Sequence, residues 1–492
     1  MNDPILDTHD IQGLVLRGFG KLPCARFLVL EIRNVDHARS YLRATCERDR
    51  VNRANISAET DLEVTLQIAF TARGLEELGL PESTMVTFSR EFREGMDDEI
   101  RGVALGDRRT REESCTWQWG SRTEPIHVLV MVYAVDEAVL EAQLERERTL
   151  LAAGFRIRHE KSTTPIADDL KEHFGWRDGI SMPIIAGVPK RDRSSPREQE
   201  SWTGAIAPGE FVLGYRNDYG AFTESPTVDP DDDAGNLLPA ALEVPGKKSL
   251  GRNGTYLVFR EMTQHVREMW DYLARTSREP GADAAARAIA LGAKMVGRWP
   301  SGAPLVEAPE ADLPTLETAN TFTYGKDLDG LACPHGAHIR RANPRDVLAI
   351  EDRDAEASRL MVRKHQMIRR GRPFGRRVTP SLDPRQILAA PPDDAQRGLH
   401  FICLVGSIAR QFEFMQRAWI NSANFDSLFK DGDPIAAARR TSSDANQSDE
   451  FTCPATPVRR KYKDMPAFTT LVGGGYFFLP GLRALNFIAQ DR

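Results

Sequence analysis

The chain has 492 residues, of which 41% are hydrophobic and 28% charged, so it holds enough apolar material for a large buried core. Its net charge of −6, from 65 basic and 71 acidic residues, argues against a nucleic-acid partner, which needs a basic face. No run of about 18 apolar residues is present, and residues 1–12 lack an apolar segment. We therefore expect a cytoplasmic protein with no membrane partner, and its oligomeric state is left open.

The first half of the chain predicts strands and helices in the order β-α-β-β-α-β. The strands are expected at residues 26–32, 62–70, 126–134 and 154–160. The second of them shows strict alternation of apolar residues, which is typical of a half-buried strand. The helices are expected at 36–50 and 136–151, the later one capped by Asp136. This order predicts a ferredoxin-like arrangement, an antiparallel sheet with helices on one face.

The second half offers comparable pieces at looser spacing. Strands are expected at 255–260, 399–405 and 476–479, with helices at 266–275 and through Phe412 and Trp419. We therefore predict an α+β protein of two tandem ferredoxin-like domains, residues 1–189 and 205–492. A linker at 190–204 joins them, because residues 190–201 are charged and nearly free of apolar side chains. A large insertion in the second domain is expected to carry the chemistry.

A tight loop at residues 174–181 reads FGWRDGIS. Gly175 and Gly179 bracket Asp178, so the backbone can turn sharply there and present a carboxylate. Trp176 supplies an apolar surface beside that carboxyl group. Such a turn most often has no function, so by itself the loop indicates only a candidate acidic residue.

A second segment, residues 333–345, reads CPHGAHIRRANPR. Cys333, His335 and His338 suggest a metal site, but no second pair lies nearby to complete the four ligands that zinc takes. A haem iron can be held by a single axial histidine from the protein, because the porphyrin supplies four nitrogen donors. Taken alone, the segment is more typical of a surface histidine on a basic helix. The arginines that follow favour haem, since its propionates are anions; they are Arg340, Arg341 and Arg345.

A third segment, residues 365–375, reads HQMIRRGRPFG. Its basic composition predicts an exposed cationic stretch, and spacing alone singles out none of its arginines.

Together the three segments resemble dye-decolorizing peroxidases. The G-x-x-D-G motif of that family matches residues 175–179, with Asp178 as the acid. Its axial-histidine segment, which continues as I-R-x-x-N-P-R, matches residues 337–345 and places His338 as the ligand. Its R-x-G-x-P-[YF]-G segment matches residues 369–375 and places Arg369. Further family-like stretches at 209–220, 253–260, 408–419 and 473–480 extend the resemblance over nearly the whole chain.

The resemblance implies a haem peroxidase with one haem b per chain, which reduces hydrogen peroxide and oxidises dyes and phenolic reductants through a ferryl intermediate. It implies that His338 ligates the iron, Asp178 moves the peroxide proton and Arg369 stabilises charge on the leaving oxygen. Gly179, Ile180 and Arg345 are expected to contact the cofactor.

Two functions of other classes stay open at this stage. One is a haem-binding or iron-handling protein with little turnover, and the other is a ferredoxin-like binding module without a cofactor. A haem absorption band would remove the second, and turnover of a dye with peroxide would separate the first from the enzyme.

Arg345 lies seven residues after His338 and just past Pro344, where a helix that carries His338 is expected to end. Seven residues are close to two helical turns, so we expect Arg345 on the same side as His338, within reach of a haem propionate. The alternative is that Arg345 caps the C-terminus of that helix, where cations are favoured.

Overall fold

The computed structural model describes residues 5–47, 50–55, 62–113, 115–165, 169–188, 202–348, 354–440 and 448–491. Residues 190–201 of the predicted linker lie outside the described residues. The division into domains 1–189 and 205–492 therefore stays a prediction.

The first half contains the four predicted strands and both predicted helices. The strands are β1 (Cys24–Ile32), β2 (Val64–Phe70), β3 (Val128–Ala134) and β4 (Phe155–Ser162), and the helices are α1 (Val35–Glu47) and α2 (Glu137–Leu151). The strands pair antiparallel in the order β2-β3-β1-β4, which is the ferredoxin-like order. Asp136 caps α2 as predicted, because its side chain accepts a hydrogen bond from the Val139 backbone N–H.

The second half repeats this order with longer connections. Its main elements are β5 (Thr255–Gln264), α3 (Val266–Thr276), α4 (Ala284–Val296), α5 (His338–Ala342), α6 (Ala355–Arg363), β6 (Ile368–Arg369), β7 (Arg372–Phe374), β8 (Gly398–Val405) and β9 (Thr469–Leu479). Two π-helical turns, Ile408–Glu413 and Met415–Ile420, follow β8. The strands run in the order β6-β8-β5-β9, and β7 also pairs with β8.

The prediction that residues 365–375 form an exposed cationic stretch is wrong. This segment contains β6 and β7, and both strands pair antiparallel with β8. Arg370 and Arg372 are buried, and their guanidinium groups donate to backbone carbonyls near the N-terminus. Composition misled here because buried guanidinium groups can be satisfied by carbonyl oxygens as well as by water.

The two halves share a single sheet. Phe478 of β9 pairs with Phe70 of β2, so the described residues form one nine-stranded sheet. The end of β4 also meets β7, because Thr164 donates hydrogen bonds from its backbone N–H to Pro373 O at 2.7 Å and from its hydroxyl to Gly375 O at 2.6 Å. The sheet therefore curls back on itself around a buried apolar interior. The α+β, ferredoxin-like prediction is confirmed.

Shorter elements connect these strands and helices. The short helices are Gly13–Leu16, Ala72–Glu77, Glu82–Met85, Arg90–Glu94, Glu99–Leu105, Pro384–Ala389 and Leu482–Ile488, and the short strands are Ile184–Ile185, Ala205–Ile206, Thr227–Val228, Lys248–Ser249, Phe451–Cys453 and Arg460–Tyr462. Within the described ranges, no helix is long and apolar enough to cross a membrane.

Strand β5 divides its side chains between the two faces of the sheet. Leu257 and Phe259 pack into the enclosed interior, whereas Arg260, Met262 and Gln264 line a cavity on the outer face. This follows from the two-residue period of a strand. The insertion between β5 and β6, which carries α4, α5 and α6, lies on the far side of this cavity and supplies part of its lining.

Candidate active site

A cavity of about 300 Å³ lies between the outer face of β5 and β8 and the insertion. Its size falls at the lower end of the range for small-molecule sites, roughly 300–1,000 Å³. Much of its lining is apolar and comes from both sides; these residues include Val296, Ile339, Met367, Leu399, Phe401, Phe412, Met415 and Ile420. Asp178, Arg369 and His338, the three residues with predicted chemical roles, all line this cavity.

His338 is the first residue of α5, and its ring is held by a buried carboxylate. Its Nδ1 lies 2.9 Å from Oδ2 of Asp433, whose side chain is fully buried. The other carboxylate oxygen of Asp433 accepts the backbone N–H groups of Ile435 and Ala436 at 2.9 and 2.8 Å. Because Nδ1 is occupied, Nε2 is the ring nitrogen left to bind a ligand in the cavity.

The electrostatics of this pair favour a charged carboxylate. Burial alone would raise the pKa of Asp433, but attraction to His338 and its hydrogen bonds outweigh burial and lower that pKa. Burial alone would lower the pKa of His338, but Asp433 outweighs burial and raises it. We refer to this side of the cavity, His338 with Asp433, as the proximal wall.

Asp178 is presented by a tight hairpin of residues 170–178. Its backbone N–H donates to Leu170 O at 2.9 Å, and an antiparallel bridge joins Lys171 to Arg177. Gly175 has a φ of +101°, which favours glycine, and a Cβ there would lie 2.9 Å from Leu382 O. The sharp turn predicted around Asp178 is therefore confirmed.

Arg369 reaches Asp178 from strand β6. Its Nη2 lies 3.5 Å from Oδ1 of Asp178 and 3.2 Å from Ser181 O. The Asp178 side chain is 53% exposed and that of Arg369 is 35% exposed. Both therefore open toward the cavity, and we refer to this side as the distal wall. The charges of both residues act on the pKa of His338 across the cavity.

Arg345 does not stand where helical spacing predicted. Helix α5 ends at Ala342, and Arg345 has a φ of +53°, so the two-turn argument is wrong. The helix-cap alternative is also not supported, because the guanidinium group donates to Asn320 O, Phe322 O and Asn320 Oδ1. Arg345 nevertheless lines the cavity.

Two buried cations in the cavity lining lack a carboxylate partner. Among the residues that the structure describes, neither Arg298 nor Arg345 forms an ion pair; Arg298 instead donates to Gly302 O and Ala319 O. Burial lowers the pKa of each to about 10. Buried cations are normally paired, so the cavity offers positive charge to an anionic ligand.

The other predicted residues differ in whether they line the cavity. Ile180 lines the cavity. Gly179, with a φ of +73°, donates its backbone N–H to Oδ1 of Asp178 at 2.6 Å. His335 is held by Asp426 at 2.5 Å instead of facing His338. Arg340 pairs with Asp327, and Arg341 donates to the backbone carbonyls of Trp419 and Ser422.

Two carboxyl groups of the site were missed by the sequence analysis. Asp433 lies 95 residues from its partner His338, and no spacing links them. Glu172 stands six residues before Asp178 and also lines the cavity. Its position within the motif-bearing segment is the one signal that could have suggested it.

The cavity is largely apolar, and it is lined by His338, by the facing Asp178 and Arg369, and by two buried arginines that form no ion pair within the described part of the chain. These features fit a haem. The His338 imidazole could ligate the haem iron, the apolar lining would suit the porphyrin ring, and the arginines would suit its propionates.

Comparisons with known proteins agree with this fit. The family model for the DyP dimeric alpha+beta barrel domain matches residues 10–163. The dye-decolorizing peroxidase of Mycena epipterygia is 28% identical over 464 residues, 88% of this chain and 78% of the relative. A multifunctional dye peroxidase of Amycolatopsis sp. is 27% identical over 86% of this chain and 81% of its own.

The fold is shared with solved structures as well. A fungal DyP-type peroxidase from Auricularia auricula-judae superposes with a TM-score of 0.76 at 24% identity, covering 99% of this chain and 100% of that one. A dye-decolorizing peroxidase in complex with 2,6-dimethoxyphenol gives the same TM-score, identity and coverage.

Proposed function

The chain belongs to the dye-decolorizing peroxidase family, and we propose that it cleaves hydrogen peroxide with Asp178 and Arg369 and that His338 would ligate its haem iron. It is a haem peroxidase that reduces hydrogen peroxide and oxidises dyes and phenolic compounds. One observation carries the assignment of residues: His338, backed by Asp433, stands across one cavity from Asp178 and Arg369.

The proposed cofactor is one haem b per chain. His338 would ligate the iron through Nε2, and Arg345 and Arg298 would face the propionates, because both are buried cations that line the cavity. Ile180 would pack against the porphyrin. When bound, the haem would supply the redox chemistry, passing electrons from the reductant to hydrogen peroxide.

Asp178 is the group that moves the peroxide proton. Cleavage of the O–O bond into water requires a proton to pass from one peroxide oxygen to the other. Its carboxylate opens to the cavity, and its Oδ1 is already oriented by the Gly179 N–H at 2.6 Å. Asp178 therefore takes the proton from one oxygen and returns it to the departing one, directly or through one water.

Arg369 stabilises the departing oxygen. A guanidinium group stays charged throughout the reaction, and it lies beside Asp178 at 3.5 Å. Negative charge develops on the leaving oxygen as the O–O bond breaks, and a preorganised cation there lowers the barrier. Removing one such donor typically costs on the order of 2.7–4 kcal/mol, or 10²–10³ in rate.

Stopped-flow mixing of the haem-loaded enzyme with hydrogen peroxide tests this assignment. We expect Asp178→Asn and Arg369→Leu each to lower the second-order rate constant, Arg369→Leu by roughly 10²–10³-fold. Arg376→Leu is the control, because Arg376 directly follows the segment that carries Arg369, is 78% exposed and, within the described residues, forms an ion pair with Asp393 alone. If both variants react as fast as the wild type, the distal assignment is wrong.

Turnover of a phenol or a dye with peroxide distinguishes the enzyme from a haem-binding protein. We expect wild-type turnover to fall in parallel with the peroxide rate constants of the two variants. Haem binding without turnover in the wild type would favour an iron-handling role instead.

A further inference from the structure

The hairpin that carries Asp178 contains a second carboxyl group with three hydrogen-bond donors around it. Oε1 of Glu172 accepts the backbone N–H of Trp176 at 3.1 Å. Oε2 accepts the backbone N–H of Phe174 at 2.8 Å and Nε2 of Gln264 at 2.6 Å. The Glu172 side chain therefore joins the tip of its own hairpin, at Phe174 and Trp176, to Gln264 of strand β5.

The backbone of Glu172 reinforces this contact. Its N–H donates to Trp176 O at 3.0 Å, so Glu172 binds both polar backbone groups of the residue two positions before Asp178. The Trp176 ring stacks on Trp270 with centroids 5.2 Å apart, which ties the same point to helix α3. The hairpin is thus attached to the sheet through Glu172 and to the helix through Trp176.

Asp178 needs such support because its own side-chain contacts are few. Its carboxylate is half exposed, touches Arg369 at 3.5 Å and accepts the N–H of its neighbour Gly179. An exposed ion pair of this length contributes at most about 1 kcal/mol, too little to hold a loop in place. The position of Asp178 is therefore determined by the hairpin backbone.

We propose that Glu172 is a positioning residue for peroxide cleavage, which fixes the hairpin of residues 170–178 to strand β5 and thereby sets Asp178 opposite Arg369. This inference rests on the proposed function of that pair. Displacement of a reacting group by about 1 Å costs on the order of 10²-fold in rate. The hydrogen bonds of Glu172 can therefore affect catalysis although Glu172 does not contact peroxide.

The ionisation of Glu172 supplies a readout that a purely structural role lacks. Burial raises the pKa of Glu172 to about 7, the Phe174, Gln264 and Trp176 donors oppose this shift, and the charge of Asp178 adds to it. Besides Asp178, the charged or titratable groups that line the same cavity are Arg177, Arg260, Arg298, Tyr324, His338, Arg345 and Arg369. The neutral carboxyl group can still accept all three N–H groups, two on its carbonyl oxygen and one on its hydroxyl oxygen.

The hydrogen bonds to Glu172 therefore persist in acid. Ionisation of Glu172 above about pH 7 adds a negative charge beside Asp178. A second carboxylate there opposes the negative charge that develops on the leaving oxygen. We expect the wild-type rate constant for peroxide to fall as pH rises through about 7.

Stopped-flow measurement of the haem-loaded enzyme between acid and alkaline pH tests the inference with three variants. Glu172→Gln must place an amide N–H against one of the three donors, so we expect a rate constant on the order of 10- to 100-fold lower in acid. Its fall near neutral pH should disappear. Gln264→Met removes only the bond to β5 and should lose less. Glu317→Gln is the control, since Glu317 pairs with Arg177 of the same hairpin and is 40% exposed.

The outcomes separate clearly when haem content and melting temperature are measured alongside. Reduced rates at unchanged haem content support the inference. A Glu172→Gln enzyme with the wild-type rate and pH profile overturns it, and so does a loss that only follows haem content. If Glu172→Gln does not fold, Gln264→Met decides: a lower rate at full haem content supports the inference, and an unchanged rate overturns it. If Asp178→Asn is itself as fast as wild type, the proposed function fails instead.

Discussion

The proximal and distal walls face the same cavity but are built in opposite ways. On the proximal wall, the fully buried Asp433 uses both oxygens, one for His338 and one for two backbone N–H groups. On the distal wall, Asp178 and Arg369 are 53% and 35% exposed and meet at only 3.5 Å. The proximal histidine is held by its own side-chain contact, whereas the distal acid is held through its backbone.

This difference matches the two roles that we propose for His338 and Asp178. An iron ligand must keep one orientation and one protonated nitrogen, which a buried carboxylate enforces. A group that moves a proton must keep unoccupied oxygen positions for peroxide, so strong permanent partners would obstruct it. In our proposal, rigid support for the distal wall comes from Glu172 instead, which accepts hydrogen bonds from three N–H groups.

The largest effect is expected from the proximal ligand. His338→Ala should abolish normal haem binding, because no other side chain at this position can replace the imidazole. His335→Ala is the matched control and should keep the wild-type absorption spectrum, since His335 is bound to Asp426. Absorption spectra of the two purified proteins check this. The opposite pattern would mean that the proximal wall is wrongly assigned.

Removing the carboxylate behind His338 should have the next largest effect. We expect Asp433→Asn to weaken haem retention by about 10- to 100-fold, the usual loss when the partner of a metal-bound histidine is changed. Transfer of haem to an apo-globin acceptor measures it. Asp426→Asn changes the equivalent partner of His335 and should leave the transfer rate unaltered. Equal haem-transfer rates for the two variants would show that Asp433 does not support a haem ligand.

A smaller effect is expected at the cavity edge. If Arg345 binds a propionate, Arg345→Leu should weaken haem binding about tenfold, in keeping with a hydrogen bond to a charged group. Arg345 also holds Asn320 and Phe322, so lower stability of the variant does not by itself decide the matter. Haem dimethyl ester, which lacks free propionates, does decide it. Wild type should prefer haem over the ester, and that preference should be about tenfold weaker in Arg345→Leu, which keeps Arg298.

The last effect concerns how the stability of the apo-protein depends on pH, and it does not involve haem. Burial raises the pKa of Glu172 from 4.5 to about 7 in the folded chain. Its contribution is therefore fully present below pH 4.5 and is lost as pH rises through about 7, by about 1–3 kcal/mol. Urea unfolding at pH 5 and pH 8 should show a larger decline for wild type than for Glu172→Gln. Identical declines would show that ionisation of Glu172 does not lower the free energy of unfolding.

Patterns local in sequence predicted most of the fold. The alternation from Val64 to Phe70 and the apolar run in Val128–Ala134 became paired strands, because a strand's two faces impose a two-residue period on the chain itself. Strands β6 and β7 were missed, since they are two and three residues long and rich in arginine. Helix α5 proved shorter than the spacing of His338 and Arg345 required.

By itself the sequence predicted the order of the strands in the first half and, through the three family-like segments, singled out Asp178, His338 and Arg369 as candidates. Only the tertiary structure decided which groups support them. Asp433 reaches His338 across 95 positions, and Gln264 reaches Glu172 across 92. The physical reason is that a side-chain hydrogen bond needs proximity in space but imposes no spacing along the chain. Partners of this kind therefore leave no local pattern, whereas strand pairing and tight turns do.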